Sequence, residues 1–170
     1  SWAAKTVEHC ISVDRDRDFA AGQFLWTGFD YIGEPTPYKT KNSYFGLIDT
    51  AGFPKDVFYM YQAEWTDYKK RPMVHVLPYW DFNEGQMVDV RVCSNAPKVE
   101  VFVNEKSLGV KEIDHAHGQE LFPSFRVPFH KGSLRAVAYD ENGNVVAEDV
   151  HKSFGNTAAI EVTPEFDHIV

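Results

Sequence analysis

The chain has 170 residues, of which 44% are hydrophobic, so it holds enough apolar material for one domain or two small ones. Its net charge of -8 disfavours nucleic acid as a partner, and no stripe of Lys or Arg offsets that charge. No run is long and apolar enough to span a membrane, so no membrane partner is expected. Cys10 and Cys93 lack the neighbours of a metal site or an activated thiol, and a disulfide between them is disfavoured.

The first predicted element is a short helix from Trp2 to about Cys10, because apolar residues recur there at helical spacing. Asp14 to Asp18 then alternates acidic and basic side chains. This stretch is interpreted as a solvated turn rather than a cation site, since its arginines would oppose a bound cation.

The segment from Gly22 to Tyr38 joins a short apolar run to a loop rich in aromatic rings and carboxylates. Gln23 to Thr27 has the character of a buried strand, and the glycines and prolines after it take the chain out of the sheet. Rings cover the apolar faces of a pyranose, and carboxylates accept hydrogen bonds from its hydroxyls. A packed aromatic corner beside an ordinary turn is the more common arrangement, so both interpretations stay open.

A second helix is predicted from about Lys55 to Trp65. Pro54 suits its first turn, and one apolar face follows from the spacing of Val57, Phe58, Met60, Tyr61 and Trp65. A strand followed by a helix is a fragment of a parallel α/β fold. The charged stretch from Thr66 to Pro72 then marks a domain boundary near residue 70.

Beyond Pro72 the hydrophobic period changes from helical to two, which indicates strands. Strands are predicted at Met73–Trp80, around Val88–Val92, around Val99–Val103, and at Ser107–Ile113, Phe122–Phe129, Leu134–Tyr139, Val145–Lys152 and Ala159–Thr163. A hairpin turn is predicted at Asn104–Lys106. Short strands at this spacing predict an immunoglobulin-like sandwich.

Several stretches resemble one known family: Phe24 to Tyr31, Gly33 to Tyr38, Tyr44 to Asp49, and Ala51 to Asp56. Together they resemble glycoside hydrolase family 2, above all its bacterial β-galactosidases. In that family this block forms the eighth strand of the (β/α)8 catalytic barrel, its loop and the start of the closing helix. Arg71 to Pro78 and Val99 to Asn104 resemble the β-sandwich that follows the barrel in many of these enzymes.

The resemblance implies that residues 1–70 are the last strand and helix of a (β/α)8 TIM barrel and that residues 71–170 are an immunoglobulin-like antiparallel β-sandwich. It also implies a retaining β-glycosidase as the parent, acting on terminal β-linked sugars of a carbohydrate substrate. The two catalytic glutamates of the family lie on the fourth and seventh barrel strands, which precede this block. No catalytic residue is therefore expected here, and the fragment alone should be inactive. Residues 1–70 should contact the rest of the barrel, the sandwich or another copy of the chain.

The resemblance further implies substrate-binding residues. Trp26 matches the eighth-strand tryptophan that forms the wall of the sugar subsite, and the peptide bond after it is expected to be cis. Asp30 and Glu34 are candidates for contacts with sugar hydroxyls, although a turn cap and a surface charge explain them equally well. Asp30 and Glu34 are disfavoured as a catalytic pair, because a single loop would have to supply both faces of the sugar. Tyr31 and Tyr38 are further candidates.

No cofactor and no metal ion are predicted. Phe45 stands where some β-galactosidases of the family have an asparagine that holds a sodium ion. His115 and His117 are interpreted as loop residues, and His75 and His151 as residues on strand surfaces, so the histidines form no predicted ligand set.

A second hypothesis comes from Tyr79, Trp80 and Phe82, three rings predicted to be exposed beside Asp81. They are compatible with a non-catalytic carbohydrate-binding module, but packing against the barrel domain is the favoured interpretation. A purely structural sandwich is a third hypothesis. The sequence leaves the compartment open, and a periplasmic or cell-surface location follows from the resemblance alone.

Overall fold

The structure is a computed structural model that describes residues 6–34, 38–116 and 118–163. Two α-helices and nine β-strands lie within these ranges. In chain order they are α1 (Val7–Arg15), β1 (Tyr31–Ile32), β2 (Asn42–Ser43), α2 (Asp56–Trp65), β3 (Val74–Leu77), β4 (Met87–Ser94), β5 (Lys98–Val103), β6 (Lys106–Glu112), β7 (Ser124–Pro128), β8 (Ser133–Tyr139) and β9 (Val145–Lys152). In this described part of the chain, neither helix has the length and apolar character that crossing a membrane requires.

Strands β3 to β9 form a sandwich of two antiparallel sheets. The strand orders are β3-β4-β7 in one sheet and β6-β5-β8-β9 in the other. Alternate side chains of a strand point to opposite faces, which is why Val88, Val90 and Val92 of β4 are all buried. Val99 and Val101 of β5 are likewise buried, in the same core. The predicted antiparallel sandwich is therefore confirmed.

The hairpin between β5 and β6 turns at Asn104 and Glu105. Their φ angles of 49° and 64° are both left-handed, as a two-residue hairpin turn of the primed type requires. The Asn104 side chain also accepts a hydrogen bond from the backbone N–H of Ser133 at 2.8 Å. The turn predicted here is confirmed, and it is anchored to β8.

Two predictions for the sandwich are wrong. Ala159–Thr163 forms no strand, and its exposed residues pair with no strand among the described ranges. Trp80 is not an exposed ring but is 1% exposed. Its indole packs against Phe129 with 5.1 Å between ring centroids, and its Nε1 donates to the backbone oxygen of His130 at 3.2 Å. Trp80 is therefore part of the sandwich core.

Helix α1 begins at Val7, and the predicted helical residues Trp2 to Lys5 lie outside the described ranges. Thr6 caps it, because its side chain accepts a hydrogen bond from the backbone N–H of His9 at 3.2 Å. The helix runs on to Arg15, so part of the predicted turn at Asp14–Asp18 is helical. The Arg15 side chain is 12% exposed and donates to the backbone oxygen of Gln119 at 2.6 Å. The arginine thus joins α1 to the segment before β7 instead of lying in solvent.

Helix α2 is confirmed within one residue of its predicted start. Lys55 is its N-cap, so Pro54 precedes the helix rather than occupying its first turn. Met60 and Tyr61 of the predicted apolar face are buried, whereas Trp65 is 53% exposed. Trp65 sits at the last residue of the helix and stacks at a tilt on Tyr61, with 4.7 Å between ring centroids. The prediction that Trp65 belongs to the buried face is therefore wrong.

Both helices pack against the sandwich through a second hydrophobic cluster. Its buried members come from both parts of the chain and are Ile11, Met60, Tyr61, Ala63, Met73, Cys93 and Leu121. Residues 6–65 therefore share a core with the sandwich, as the expectation that they would lean on it requires. The division into domains at residue 70 remains a prediction.

The charged stretch between α2 and β3 is held by one buried side chain, the amide of Asn95. Its Nδ2 donates to Thr66 Oγ1 at 2.8 Å and to the backbone oxygen of Arg71 at 2.9 Å. Its Oδ1 accepts from the backbone N–H of Met73 at 2.9 Å. Asn95 is 5% exposed, so these hydrogen bonds lie in an environment of low dielectric constant, where each is stronger than it would be in water.

The two cysteines are free thiols of different accessibility. Burial raises the pKa of the Cys93 thiol to about 12, so Cys93 is protonated and unreactive at neutral pH. We expect a disulfide-exchange reagent at about pH 8 to modify no more than one thiol of the native chain, and two after denaturation. The Cys93→Ser variant should keep the native reaction unchanged. Rapid reaction of two thiols in the native chain would contradict this burial.

Candidate functional site

The segment predicted as a buried strand, Gln23–Thr27, contacts the stretch before α2 at its last residue, where the backbone oxygen of Thr27 accepts a hydrogen bond from the N–H of Leu47 at 3.2 Å. It is not assigned to any strand, so that prediction is wrong for the chain as it stands. The exposure nevertheless alternates as in a strand. Leu25 packs against the second hydrophobic cluster, whereas Phe24 and Trp26 point outward, with exposed fractions of 106% and 77%. The peptide bond between Trp26 and Thr27 is cis, as expected.

Immediately after this segment the chain pairs with the stretch before α2. Phe29 and Ile48 form a parallel bridge. The backbone N–H of Asp30 donates to the oxygen of Ile48 at 2.8 Å, and the N–H of Ile48 donates to the oxygen of Gly28 at 2.9 Å. Two extended stretches thus lie side by side in the same direction, and α2 follows the second one.

Asp30 lies beneath this pairing and is 8% exposed. Its Oδ1 accepts hydrogen bonds from the backbone N–H of Gly46 at 2.8 Å and from Lys55 Nζ at 2.7 Å. Lys55 Nζ also donates to the backbone oxygen of Tyr44 at 2.9 Å. Asp30 therefore ties together three parts of the loop region, which favours the turn-cap interpretation. Its contact with a sugar hydroxyl stays a prediction.

Glu34 lies at the surface, as one of its two interpretations requires. Its Oε2 accepts a hydrogen bond from Tyr31 Oη at 2.5 Å, and its backbone oxygen accepts one from Ser43 Oγ. Tyr31 meets Phe45 edge to face, with 5.9 Å between ring centroids. Residues 35–37 of the loop lie outside the described ranges. The structure thus brings Tyr31 and Glu34 together, and a role of Glu34 in sugar binding stays a prediction.

The surface around these residues is rich in exposed apolar side chains. Six aromatic residues between positions 24 and 53 are more than half exposed: Phe24, Trp26, Phe29, Tyr38, Tyr44 and Phe53. Isolated exposed rings are ordinary, but a set concentrated in one part of a chain marks a surface that contacts a ligand or another surface. We call these six residues the aromatic face.

A second group of functional side chains was missed by the sequence interpretation. His75, Asp149 and His151 each offer a ligand atom, and these atoms lie within 4.8 Å of one another. We call these three residues the histidine cluster. Burial lowers the pKa of His75, but hydrogen bonds to Asp149 and Asp56 outweigh it and raise the pKa to about 9. The carboxylates around His75 therefore favour the positively charged form of its imidazole.

His75 does not lie on an open strand surface, since its side chain is 14% exposed. One signal was available in the sequence: Asp149 and His151 are two residues apart on a strand and so share a face. Nothing local indicated that His75 lies opposite them. Of the other histidine pair, His115 contacts Glu64 at 2.8 Å, and His117 lies outside the described residues.

Comparisons with known proteins agree with this geometry. Residues 85–147 match the model of a domain of unknown function, DUF4982. The chain is 46% identical over 165 residues to the β-galactosidase BoGH2A of Bacteroides ovatus. This match covers 94% of this chain and 18% of that protein. It is 40% identical over 143 residues to a putative β-glucuronidase of Formosa agariphila, covering 79% of this chain and 13% of that protein. The chain thus spans less than a fifth of either relative.

Solved structures give the same result. A β-glycosidase from Bacteroides vulgatus superimposes with a TM-score of 0.68 at 36% identity, over 78% of this chain and 16% of that one. A glycosyl hydrolase family 2 member from Bacteroides cellulosilyticus gives a TM-score of 0.67 at 27% identity, over 81% of this chain and 22% of that one. Sequence and structure therefore agree that this chain belongs to glycoside hydrolase family 2 and corresponds to one segment of those proteins.

Proposed function

We propose that this chain is part of a retaining β-glycosidase of the β-galactosidase kind, which hydrolyses terminal β-linked sugars of glycans. The observation that carries the proposal is the exposed aromatic face around Trp26, in a chain that is 46% identical to a β-galactosidase along nearly its whole length. The reaction would be a double displacement through a covalent glycosyl-enzyme, which needs two carboxyl groups about 5 Å apart. In this proposal both are glutamates outside the 170 residues.

We also propose that residues 1–70 are the end of a (β/α)8 barrel and that residues 71–170 are an immunoglobulin-like sandwich. The parallel pairing of Phe29 with Ile48, followed by α2, supports the first part, because parallel strands and crossover helices alternate in such barrels. The seven strands in two antiparallel sheets support the second. Gln23–Thr27 would then gain its sheet partners from the rest of the barrel.

The aromatic face has two uses in this proposal. Leaving so many rings in water is unfavourable, at about 25 cal/mol for each Å² of apolar surface. Most of these rings would be covered by the remainder of the barrel, while Trp26 would line the sugar subsite. A sugar presents an apolar face of C–H groups to such a ring, and its hydroxyls remain free for polar neighbours such as Glu34.

The proposal is tested by a substitution at Trp26 in the longer polypeptide that contains this chain. Trp26→Ala should lower kcat/KM for a nitrophenyl β-galactoside about five- to tenfold, because a sugar–ring contact contributes about 1–1.4 kcal/mol. Trp65→Ala is the matched control and should leave kcat/KM unchanged. An unchanged kcat/KM in Trp26→Ala, with the protein folded by circular dichroism, would remove Trp26 from the subsite.

The 170-residue chain by itself should not hydrolyse the same substrate above the rate in buffer. If it does, a carboxyl pair within the chain must be responsible, and Asp30 and Glu34 would be the first candidates. Asp30→Asn and Glu34→Gln variants would then identify it. Hydrolysis by the isolated chain would therefore overturn the proposal that the glutamates lie elsewhere.

One observation supports the alternative function, a sandwich that binds carbohydrate without catalysis: an aromatic pair at its surface. Tyr79 is 59% exposed and stacks on Phe82 with 5.1 Å between ring centroids, but Trp80, the third ring, is buried. Titration of the chain with galactose oligosaccharides would separate the two functions. Binding that is lost in Tyr79→Ala would favour the binding module, and binding that is lost in Trp26→Ala would favour the glycosidase subsite.

A further inference from the structure

The histidine cluster joins three elements that come from different parts of the chain. His75 lies on β3, while Asp149 and His151 lie two residues apart on β9, which belongs to the opposite sheet. Asp56, in the first turn of α2, contacts His75 from the other side. Asp149 also accepts a hydrogen bond from the backbone N–H of Val76 at 2.9 Å, which fixes its carboxylate at the edge of β3.

The distances inside the cluster are long for charge-assisted hydrogen bonds. His75 Nδ1 lies 3.4 Å from Asp149 Oδ2, and His151 Nε2 lies 3.6 Å from the same oxygen. Hydrogen bonds of this kind are ordinarily about 2.7–3.0 Å long. Ligands held about 2.0–2.1 Å from a tetrahedral zinc ion are separated from one another by about 3.4 Å. Both distances to Asp149 Oδ2 are close to that separation, and the two imidazole ligand atoms lie within 4.8 Å of each other.

The outward-facing nitrogens of both imidazoles are occupied in the way that metal-binding histidines require. His75 Nε2 lies 2.9 Å from Asp56 Oδ1, and His151 Nδ1 lies 3.2 Å from the backbone oxygen of Pro78. Each partner is an acceptor, so it holds a proton on the outer nitrogen of its ring. The ion would displace the second proton of the His75 ring from the inner nitrogen, so zinc binding competes with protonation there. Tyr59 stacks on His75 with 3.9 Å between ring centroids and fixes the plane of that ring.

We propose that His75, Asp149 and His151 bind a Zn²⁺ ion, with water in the fourth position. Two imidazoles and one carboxylate are a donor set that suits zinc and excludes Ca²⁺ and Mg²⁺, which prefer oxygen ligands alone. The two carboxylates of Asp149 and Asp56 balance the charge of the ion. Because the ligands and their partners come from β3, β9 and α2, the ion fastens α2 and both sheets together.

Zinc binding is measured on the full 170-residue chain after treatment with a chelator. We expect one Zn²⁺ per chain by isothermal titration, a rise in Tm of about 5 °C at saturation, and no rise with Mg²⁺. Co²⁺ should give the visible absorption of a tetrahedral site. His151→Gln should abolish all three signals, while His9→Gln, at an exposed histidine of α1, should leave them unchanged.

Asp56 is a positioning residue in this site, because it acts through His75. Asp56→Asn should weaken zinc binding about 10- to 100-fold, and Asp56→Glu should restore part of the affinity. If His151→Gln fails to fold, Asp149→Asn replaces it, since asparagine keeps an acceptor for Val76. The proposal is overturned if the native chain gains no stability from Zn²⁺, or if folded His151→Gln binds zinc as tightly as the native chain. In either case the cluster holds a proton and no metal.

Discussion

Trp80→Ala is expected to lower the free energy of unfolding by about 3–5 kcal/mol, the range found when a large buried ring is removed from a core. Trp80 is 1% exposed and packs against Phe129 and Phe82. Alanine would leave a cavity there, and it would remove the donor that pairs with the backbone oxygen of His130. Urea denaturation followed by far-ultraviolet circular dichroism measures the effect without relying on tryptophan fluorescence.

Trp26→Ala is the matched control in the same 170-residue chain. Trp26 is 77% exposed, so its loss should change the free energy of unfolding by no more than about 0.5 kcal/mol. Trp80→Phe should recover part of the stability that Trp80→Ala loses, because phenylalanine keeps a ring against Phe129. Equal effects of Trp80→Ala and Trp26→Ala would contradict the assignment of one ring to the core and the other to the surface.

Gly46→Ala is expected to have the second largest effect, about 2–3 kcal/mol of lost stability. A Cβ at Gly46 would lie 2.3 Å from the backbone nitrogen of Asp30 and 2.3 Å from the carbonyl carbon of Phe29. Both atoms belong to the backbone and cannot rotate away, so the pairing of Phe29 with Ile48 must open. Amide hydrogen exchange at Asp30 and Ile48 should therefore accelerate together with the loss of global stability.

Gly28→Ala is the control for this substitution. Gly28 lies in the same pairing, has no positive φ, and has no heavy atom within 4 Å of the position a Cβ would take. Its replacement should change the free energy of unfolding by less than about 0.5 kcal/mol. If Gly46→Ala is tolerated as well as Gly28→Ala, the close approach of the two backbones is not present in solution.

The sequence predicted the sandwich well because its signal is local. A valine at every second residue of β4 and β5 determines which face of each strand is buried, and no distant residue needs to be known for that. Helix α2 was equally accessible, since its apolar face repeats within ten residues. The strand at Ala159–Thr163 was predicted wrongly because a pattern alone does not guarantee a pairing partner.

The candidate sites depended on contacts that no local pattern contains. Asp30 is held by Gly46 and Lys55, which are distant along the chain, so its hydrogen bonds could not be read from the loop itself. The same holds for His75, whose neighbours Asp149 and Asp56 come from β9 and α2. Trp26 was identified through family resemblance, and its role in a sugar subsite stays a prediction; the structure shows only that its ring is exposed.

The bonds of Asn95 have a mechanical consequence. One buried amide holds Thr66, Arg71 and Met73 at once. The stretch between α2 and β3 is therefore not expected to act as a hinge. In any large movement of the sandwich, α2 would therefore move together with it as one rigid unit. Asn95→Leu would remove all of these bonds, leaving the backbone oxygen of Arg71 and the N–H of Met73 without this partner, and would let α2 move relative to β3.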